Sequence, residues 1–117
     1  MKPDVQNPRK AESRCLETTP TQIFAALAAE RSQYALCYLG QKAAAISLGD
    51  LAEYIAIKEG DPSYEWYQRI TVDLHHRHLP HLADAGLIEY DVDAELVELA
   101  IDRRAIDPYL RLTELAD

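Results

Sequence analysis

The chain has few glycines, and it lacks the short motifs that mark common enzyme sites. Its four glycines are scattered along 117 residues, so they do not form a glycine-rich loop that cradles phosphate. Neither a nucleophile elbow of the G-x-S-x-G type nor an H-E-x-x-H zinc motif is present. Paired acids such as Asp91 and Asp93 fall in a predicted turn, where solvation and turn formation explain them. The sequence therefore predicts a protein that is not an enzyme and has no cofactor.

Long apolar runs and cysteines are also scarce. No stretch approaches the roughly 20 apolar residues of a membrane span, and residues 1–15 contain no apolar segment of a secretion signal. We therefore expect a cytoplasmic protein with no membrane partner. The two cysteines, Cys15 and Cys37, have no metal-ligand spacing. We interpret both as core or incidental thiols, with a redox-sensing pair as the alternative.

Positive charge is in short supply. Twelve Lys and Arg against twenty Asp and Glu give a net charge of −8, a sign that opposes binding to a polyanion. Either the protein does not bind nucleic acid, or it works in molar salt, where the Debye length falls to about 3 Å and net repulsion matters little beyond direct contact. Lysine supplies only four of the twelve cations and alanine is abundant, which favours a halophilic source.

Residues 1–18 predict a flexible arm, because prolines interrupt them and they show no periodicity. The arm carries four of the basic residues, namely Lys2, Arg9, Lys10 and Arg14. It either reaches along DNA phosphates or is a solvated tail. Residues 19–117 are predicted to form a single domain with one modest core.

Capping signals divide residues 19–117 into short elements. We expect helices capped by Thr19, Ser32 and Ser47, a long helix that begins at Asp61-Pro62 and bends at Pro80, and a final helix capped by Asp107-Pro108. A short strand is expected near Ile46, and a hairpin of residues 87–90 and 96–101 comes after Gly86. The order helix, helix, strand, helix, helix, strand, strand, helix is typical of a winged helix.

The segment from His78 to Ile88 fits the pattern HL-x-x-L-x-x-A-G-L-I. This pattern resembles the end of the recognition helix and the start of the wing in ArsR-type and MarR-type regulators. The Leu79-Pro80 step more narrowly resembles a small winged-helix domain of unknown function that is abundant in halophilic archaea. The resemblance covers roughly residues 22–109.

The resemblance implies a winged helix-turn-helix domain of α+β class, mostly helical, with a short two- or three-stranded wing sheet and a C-terminal helix. It further implies a DNA-binding transcriptional regulator whose partner is double-stranded DNA. A winged-helix protein–protein interaction module that does not bind DNA is the alternative. The net charge and the ten acids of residues 84–117 support that alternative.

A wheel of 100° per residue assigns two sides to the long helix. The apolar side carries Ile70, Leu74, Leu79 and Leu82, and the opposite side carries Arg69, Asp73, His76 and Arg77, with Gln68 at its edge. In a recognition helix these five polar residues would read bases, because Arg pairs with guanine, Gln with adenine, and Asp accepts from cytosine. Ser47 and the wing would contact the DNA backbone. The alternative is a solvated face with weak ion pairs from Asp73 to the two arginines.

Histidines and aromatic residues on the long helix suggest further sites. His75, His78 and His81 are spaced three residues apart and could together bind a transition metal. Pro80 distorts their spacing and no acidic or thiolate ligand accompanies them, so we predict no metal. Tyr64, Trp66 and Tyr67 are predicted core anchors, with a ligand pocket beneath Trp66 as the alternative.

The first and last helices carry apolar residues that could serve a second copy of the chain. They are Ile23 and Leu27 on the first helix, and Tyr109, Leu110, Leu112 and Leu115 on the last. Because a domain of this size has limited core to offer, we expect these residues to form a homodimer interface. Such a dimer would set two recognition helices about 34 Å apart. The alternative is that both helices cover their own core.

Overall fold

A computed structural model of the chain describes residues 18–113. Within that range lie six α-helices, one π-helical segment and three β-strands. No helix of this range is long and apolar enough to cross a membrane. The predicted arm up to residue 17, together with Leu115, lies outside the described residues.

Two helices open the described chain, and one of their two predicted caps is correct. Helix α1 spans Pro20–Ala26 and begins with the predicted capping box, in which Thr19 and Gln22 exchange hydrogen bonds of 3.2 and 2.8 Å. Helix α2 spans Glu30–Gly40, and its N-cap, Ala29, supplies no side-chain hydrogen bond. The prediction that Ser32 caps α2 is wrong, because Ser32 is buried in the first turn, where its hydroxyl bonds to another side chain.

Strand β1 leads directly into the third helix. It spans Ile46–Ser47, and helix α3 continues from it at Leu48–Lys58. The Ser47 hydroxyl accepts from the Asp50 N–H at 3.0 Å, which confirms the predicted cap. Gly60 follows the end of α3 with a φ of 85°, and the N–H groups of residues 60 and 61 bond back to the carbonyls of Ile57 and Ala56.

The helix-turn-helix is completed by helix α4 at Tyr64–Asp73. Its cap is Ser63, whose hydroxyl accepts from the Trp66 N–H at 3.2 Å. The prediction that Asp61 caps this helix is wrong. Asp61 instead accepts from the Ser63 N–H at 3.2 Å and so shapes the turn before the helix.

The long helix continues from α4 through a π-helical segment, Leu74–His78, into helix α5, Leu79–Asp84. In the π segment the Leu79 N–H donates to the Leu74 carbonyl. A straight helix would place Leu79 about 180° and Leu82 about 120° from Ile70. One extra residue in the π turn rotates the remainder of the helix by about 100°, so all four predicted apolar residues are fully buried. The disturbance predicted at Pro80 thus takes the form of a π turn immediately before it.

The hairpin forms the predicted wing. Gly86 follows α5 with a φ of 81°, in the left-handed region that favours glycine. The chain turns there into strand β2, which spans Ile88–Asp91. Strand β3 comes next at Leu96–Leu99. The three strands are antiparallel in the order β1-β3-β2, with Val97 opposite both Ile46 and Tyr90. The sheet therefore has three strands, two of them in a short wing.

The last helix, α6, spans Arg103–Leu112. Its N-cap is Asp102, which accepts from the Arg104 N–H at 2.9 Å. The prediction that Asp107-Pro108 caps this helix is wrong, since Pro108 lies inside it. Because proline has no N–H, the Arg104 carbonyl in the first turn has no helical donor.

One apolar core joins the helices to the inner face of the sheet. Its largest fully buried side chains include Leu36, Leu51, Ile55, Ile70, Leu74, Leu87, Val97 and Ile106. The chain is thus an α+β, mostly helical winged helix-turn-helix domain with a three-stranded wing sheet and a C-terminal helix, as predicted.

The core also takes in residues that the sequence assigns to a dimer interface. Ile23, Leu27 and Leu110 are buried within their own chain, so the dimer prediction is wrong for these three. They cover the domain's own core, which was the alternative. Tyr109 is half-buried and Leu112 is 68% exposed.

Candidate nucleic-acid interface

An exposed ridge runs along the outer side of α4 and into the π segment. It consists of Glu65, Gln68, Arg69, Val72 and His76, which recur at helical spacing. All five are exposed, and they line one open cavity of 660 Å³. We call these five residues the recognition ridge. Three of the predicted base readers therefore share one surface on the second helix of the helix-turn-helix.

Two arginine side chains extend from this side of the helix into solvent. The side chain of Arg69 is 66% exposed and lies 3.5 Å from Glu65, and that of Arg77 is 75% exposed and lies 3.6 Å from Asp73. The alternative of a solvated face predicts the pair of Arg77 with Asp73, but it does not predict the pair of Arg69 with Glu65. Both are exposed i, i+4 ion pairs, which are weak. Each guanidinium can therefore exchange its carboxylate for another acceptor with little loss.

Asp73 is the least available of the predicted base readers. Its Oδ2 accepts from Arg31 Nη1 at 2.8 Å and from His78 Nε2 at 2.8 Å. Burial would raise the pKa of Asp73, but the hydrogen bonds and charges of Arg31 and His78 outweigh it and hold that pKa below its ordinary value. Because intramolecular donors occupy the carboxylate, we assign Asp73 to positioning its neighbours and not to contact with a base.

Arg31, near the start of α2, connects three helices. Its guanidinium donates twice to Glu59, with distances of 2.6 Å from Nε and 3.0 Å from Nη2, in addition to its bond to Asp73. Trp66 Nε1 donates to the same Glu59 carboxylate at 2.9 Å, and the guanidinium lies 5.6 Å from the Trp66 ring centroid. The hydrogen bond to Glu59 raises the pKa of Arg31, and the bond from Arg31 lowers the pKa of Glu59. These contacts fix the orientation of α4 against α2 and the end of α3.

His78 ties the π segment to α2. It is buried, with Nδ1 3.2 Å from the Ser32 hydroxyl and Nε2 2.8 Å from Asp73. Because a carboxylate only accepts, Nε2 carries the proton, and Nδ1 accepts from Ser32. Burial lowers the pKa of His78, and the charges of Arg77 and Arg31 lower it further; together these effects outweigh the raising effect of Asp73, so the imidazole is neutral at neutral pH.

The three histidines considered as metal ligands have separate environments. His75 Nδ1 lies 2.8 Å from the Tyr90 hydroxyl, His78 is enclosed by the contacts just described, and His81 is exposed on α5. Within residues 18–113 no three His, Cys, Asp or Glu side chains come together as a ligand set.

Ser47 and the wing lie apart from the recognition ridge. The Ser47 hydroxyl is engaged as the cap of α3, and its side chain does not line the ridge cavity. The wing turn exposes Asp91, Asp93 and Glu95, and residues 87–102 contain no Lys or Arg. The prediction that the wing contacts the DNA backbone requires cations that attract the phosphates, and residues 87–102 supply none.

The aromatic cluster divides between core and surface. Trp66 and Tyr67 are half-buried and pack against the core, as predicted. Tyr64 is exposed, so the prediction that it anchors the core is wrong. Its ring stacks on Tyr67 with a centroid distance of 5.9 Å.

Sequence reasoning missed the polar residues beneath the ridge. Arg31 and Ser32 lie on α2 and Glu59 directly follows α3, and the bonds of Arg31 and Ser32 to Glu59, Asp73 and His78 span 28 to 46 residues of the chain. The sequence feature that could have revealed them is the polar pair Arg31-Ser32 in the first turn of a helix that is otherwise largely apolar. Val72 was also missed, because helical periodicity does not predict that a single valine will be exposed.

The fold is thus a winged helix-turn-helix domain in which the outer side of the second helix of the motif is exposed. The chain belongs to the family described as domain of unknown function DUF7344, with residues 24–98 matched. The matched range runs from α1 through most of the wing. No curated protein and no solved structure matches the chain.

Proposed function

We propose that the protein is a transcriptional regulator of a halophilic archaeon, which acts in the cytoplasm as a homodimer and reads double-stranded DNA through its recognition ridge. The observation that carries this proposal is the exposed array of Gln68, Arg69 and His76 on the second helix of the helix-turn-helix. Arg77 stands at its margin and points into solvent. Amide and guanidinium groups on one helix face match the donor and acceptor pattern of the major groove.

The buried polar network supports this proposal, because base reading requires a helix held at a fixed angle. Arg31 and His78 fasten the inner side of the long helix while the ridge stays free. Val72, at the centre of the ridge, offers an apolar contact for a thymine methyl group. We therefore assign base contact to Gln68, Arg69, His76 and Arg77.

The net charge of −8 sets the conditions under which this function is tested. At low salt the acidic wing would repel DNA, and in molar salt that repulsion is screened beyond about 3 Å. Affinity measured in ordinary buffers would therefore misstate the strength of binding.

The test is selection of bound duplexes from a random library at molar KCl, followed by affinity measurement on the enriched sequence. We expect an enriched palindrome, and we expect Arg77→Ala to weaken binding to it by about tenfold or more with little change in the thermal transition. The matched control is Arg104→Ala, an exposed arginine with an acidic neighbour at 3.7 Å that lies on α6 away from the ridge. Equal loss in both variants, or no enriched sequence, would contradict the proposal.

Genome-wide occupancy in the native host provides the same test at the correct intracellular salt. Discrete peaks that share a palindrome would establish a dimeric regulator and identify its target genes. A flat profile from folded, expressed protein would count against DNA binding.

A protein–protein interaction module is the second candidate, and the acidic wing favours it. Asp91, Asp93 and Glu95 are exposed at the wing turn beside an exposed Val92. A basic partner would complement this surface. Purification of the native protein at molar salt, followed by identification of co-eluting chains, tests it. A stoichiometric partner released by Asp93→Lys and retained by Arg77→Ala would support this candidate over DNA binding.

A further inference from the structure

On the side of the domain formed by α2, α3 and α6, four cations form no ion pair with a carboxylate of residues 18–113. Within residues 18–113, each of the other four cations, Arg31, Arg69, Arg77 and Arg104, lies within ion-pair distance of a carboxylate. Lys42, Lys58, Arg103 and Arg111 form no ion pair with any described residue. In a chain with a net charge of −8, a local excess of unpaired positive charge is unexpected.

Three of these cations line one concave site. Lys58, Arg103 and Arg111 surround a cavity of 360 Å³, together with Tyr54, Leu110 and a single acid, Asp107. This volume is within the range of small-molecule sites. Three cations against one acid leave a local charge of about +2.

Aromatic rings hold two of the lysines in place. Tyr38 and Tyr54 stack with a centroid distance of 4.3 Å. Lys42 Nζ lies 4.8 Å from the Tyr38 centroid, and Lys58 Nζ lies 5.5 Å from the Tyr54 centroid. Burial, assisted by Cys37, raises the pKa of Tyr54 to about 12, so its hydroxyl stays protonated at neutral pH.

The aliphatic stem of Arg103 lies next to Gly40 at the edge of the cavity. A Cβ atom built on Gly40 would lie 3.9 Å from both Cγ and Cδ of Arg103, which shows that the stem of this arginine packs on the glycine of α2. Arg103 is an exposed residue whose aliphatic stem contacts α2, so its guanidinium is accessible to a ligand.

We propose that this cavity binds a small phosphorylated molecule. Arginine forks pair bidentately with phosphate oxygens, and a phosphate monoester carries close to two negative charges at neutral pH, which matches the charge of the site. Leu110 and the Tyr54 ring flank the cations and offer apolar contact to the organic part of such a ligand. No described residue lines both this cavity and the recognition ridge, so ligand and DNA can occupy the domain together.

The test is isothermal titration of the full chain with inorganic pyrophosphate, inorganic phosphate and succinate at constant ionic strength. We expect one pyrophosphate per chain. Arg103→Gln and Arg111→Gln should each weaken binding by about tenfold. Arg104→Gln, the next residue on the same helix, does not line the cavity and should stay within about twofold. Asp107→Asn should tighten binding, because it removes the one acid of the site.

Each of three results would overturn the proposal. The first is absence of pyrophosphate binding at millimolar concentration by the folded wild-type chain. The second is equal weakening by Arg104→Gln, which would indicate general surface charge and not a cavity. The third is succinate binding as tight as pyrophosphate binding, which would remove the assignment to phosphate. Thermal transitions of all variants verify that each is folded. If Arg103→Gln disturbs the contact of Arg103 with α2, Arg111→Gln provides the test of the cavity.

Discussion

Arg31 and Asp73 are joined by a hydrogen bond of 2.8 Å, although 42 residues separate them in the chain. The bond connects the first turn of α2 to the end of α4, directly beneath the recognition ridge. Both side chains are about four-fifths buried, and each has further partners of its own. The pair is therefore the centre of a network that orients the recognition helix.

Asp73→Asn is expected to destabilise the domain by about 2 kcal/mol, because an amide cannot accept from Arg31 and His78 as the carboxylate does and places an NH₂ group against donors. The measurement is urea unfolding at neutral pH and constant salt. Asp84→Asn is the matched control, since Asp84 is an exposed acid of the same long helix, and it should change stability by less than about 0.5 kcal/mol. Similar stability of both variants would show that the network contributes little.

Acid should destabilise the protein through His78. Its pKa lies below the ordinary 6.5 in the folded chain, so the unfolded chain binds the proton more readily. The contribution is fully present above pH 6.5 and is lost as the pH falls through the folded-state pKa. Glu59 and Asp73 also have lowered pKa values, but their losses begin only below 4.5 and 3.8. The free energy of unfolding should therefore begin to fall as the pH drops below 6.5, before the two carboxylates titrate.

His78→Gln should flatten that part of the pH profile, because glutamine does not titrate. His81→Gln, at an exposed position, should leave the profile unchanged. The comparison uses urea unfolding at a series of pH values. A wild-type profile that stays flat from neutral pH down to 4.5, where Glu59 starts to contribute, would refute the assignment to His78.

The proposed homodimer should depend on the exposed part of α1 and α6. Phe24 is 51% exposed and packs edge-on against Tyr109, with a centroid distance of 5.2 Å, and Leu112 is exposed nearby on the same helix as Tyr109. Leu112→Asp combined with Phe24→Asp should convert the dimer to a monomer in analytical ultracentrifugation at molar salt. Val92→Asp, which places the same charge on an exposed apolar residue of the wing, should remain dimeric. A monomeric wild-type protein would remove the dimer from the proposal.

Substitution of Gly60 tests the effect of backbone conformation alone in the helix-turn-helix. A Cβ atom at this position would meet nothing within 4 Å, while its φ of 85° strains an L-residue. Gly60→Ala should therefore lower the free energy of unfolding by about 1 kcal/mol, and Gly60→Asn by less, because asparagine tolerates the left-handed region. Thermal and urea unfolding measure both. Equal losses would indicate a cause other than backbone strain.

The sequence predicted the order of elements well, because that order depends on local signals. The capping box at Thr19, the cap at Ser47 and the glycine stop before the wing are all present. One of the failed caps is a position where two acceptable caps lie close together. Both Asp61 and Ser63 satisfy the local rule, and packing of α4 selects between them.

The candidate site was predictable only on its outer side. Exposed polar residues of the long helix can be inferred from helical periodicity, as Gln68 and Arg69 show. The inner partners, Arg31 and Glu59, come from helices whose packing no local pattern records. The dimer residues failed for a related reason, because periodicity marks an apolar face and does not say whether the same chain or a second copy covers it.

The π segment makes the length of the long helix adjustable by one residue. A regular helix that loses a residue turns all later residues by about 100° and exposes its apolar side. Here a deletion within Leu74–His78 would remove the extra residue of the π turn and leave a plain helix in which Leu79 and Leu82 remain on the side of Ile70. Relatives that differ by a single-residue gap at this point would therefore keep the same fold. They would lose only the wide turn that places His78 between Ser32 and Asp73.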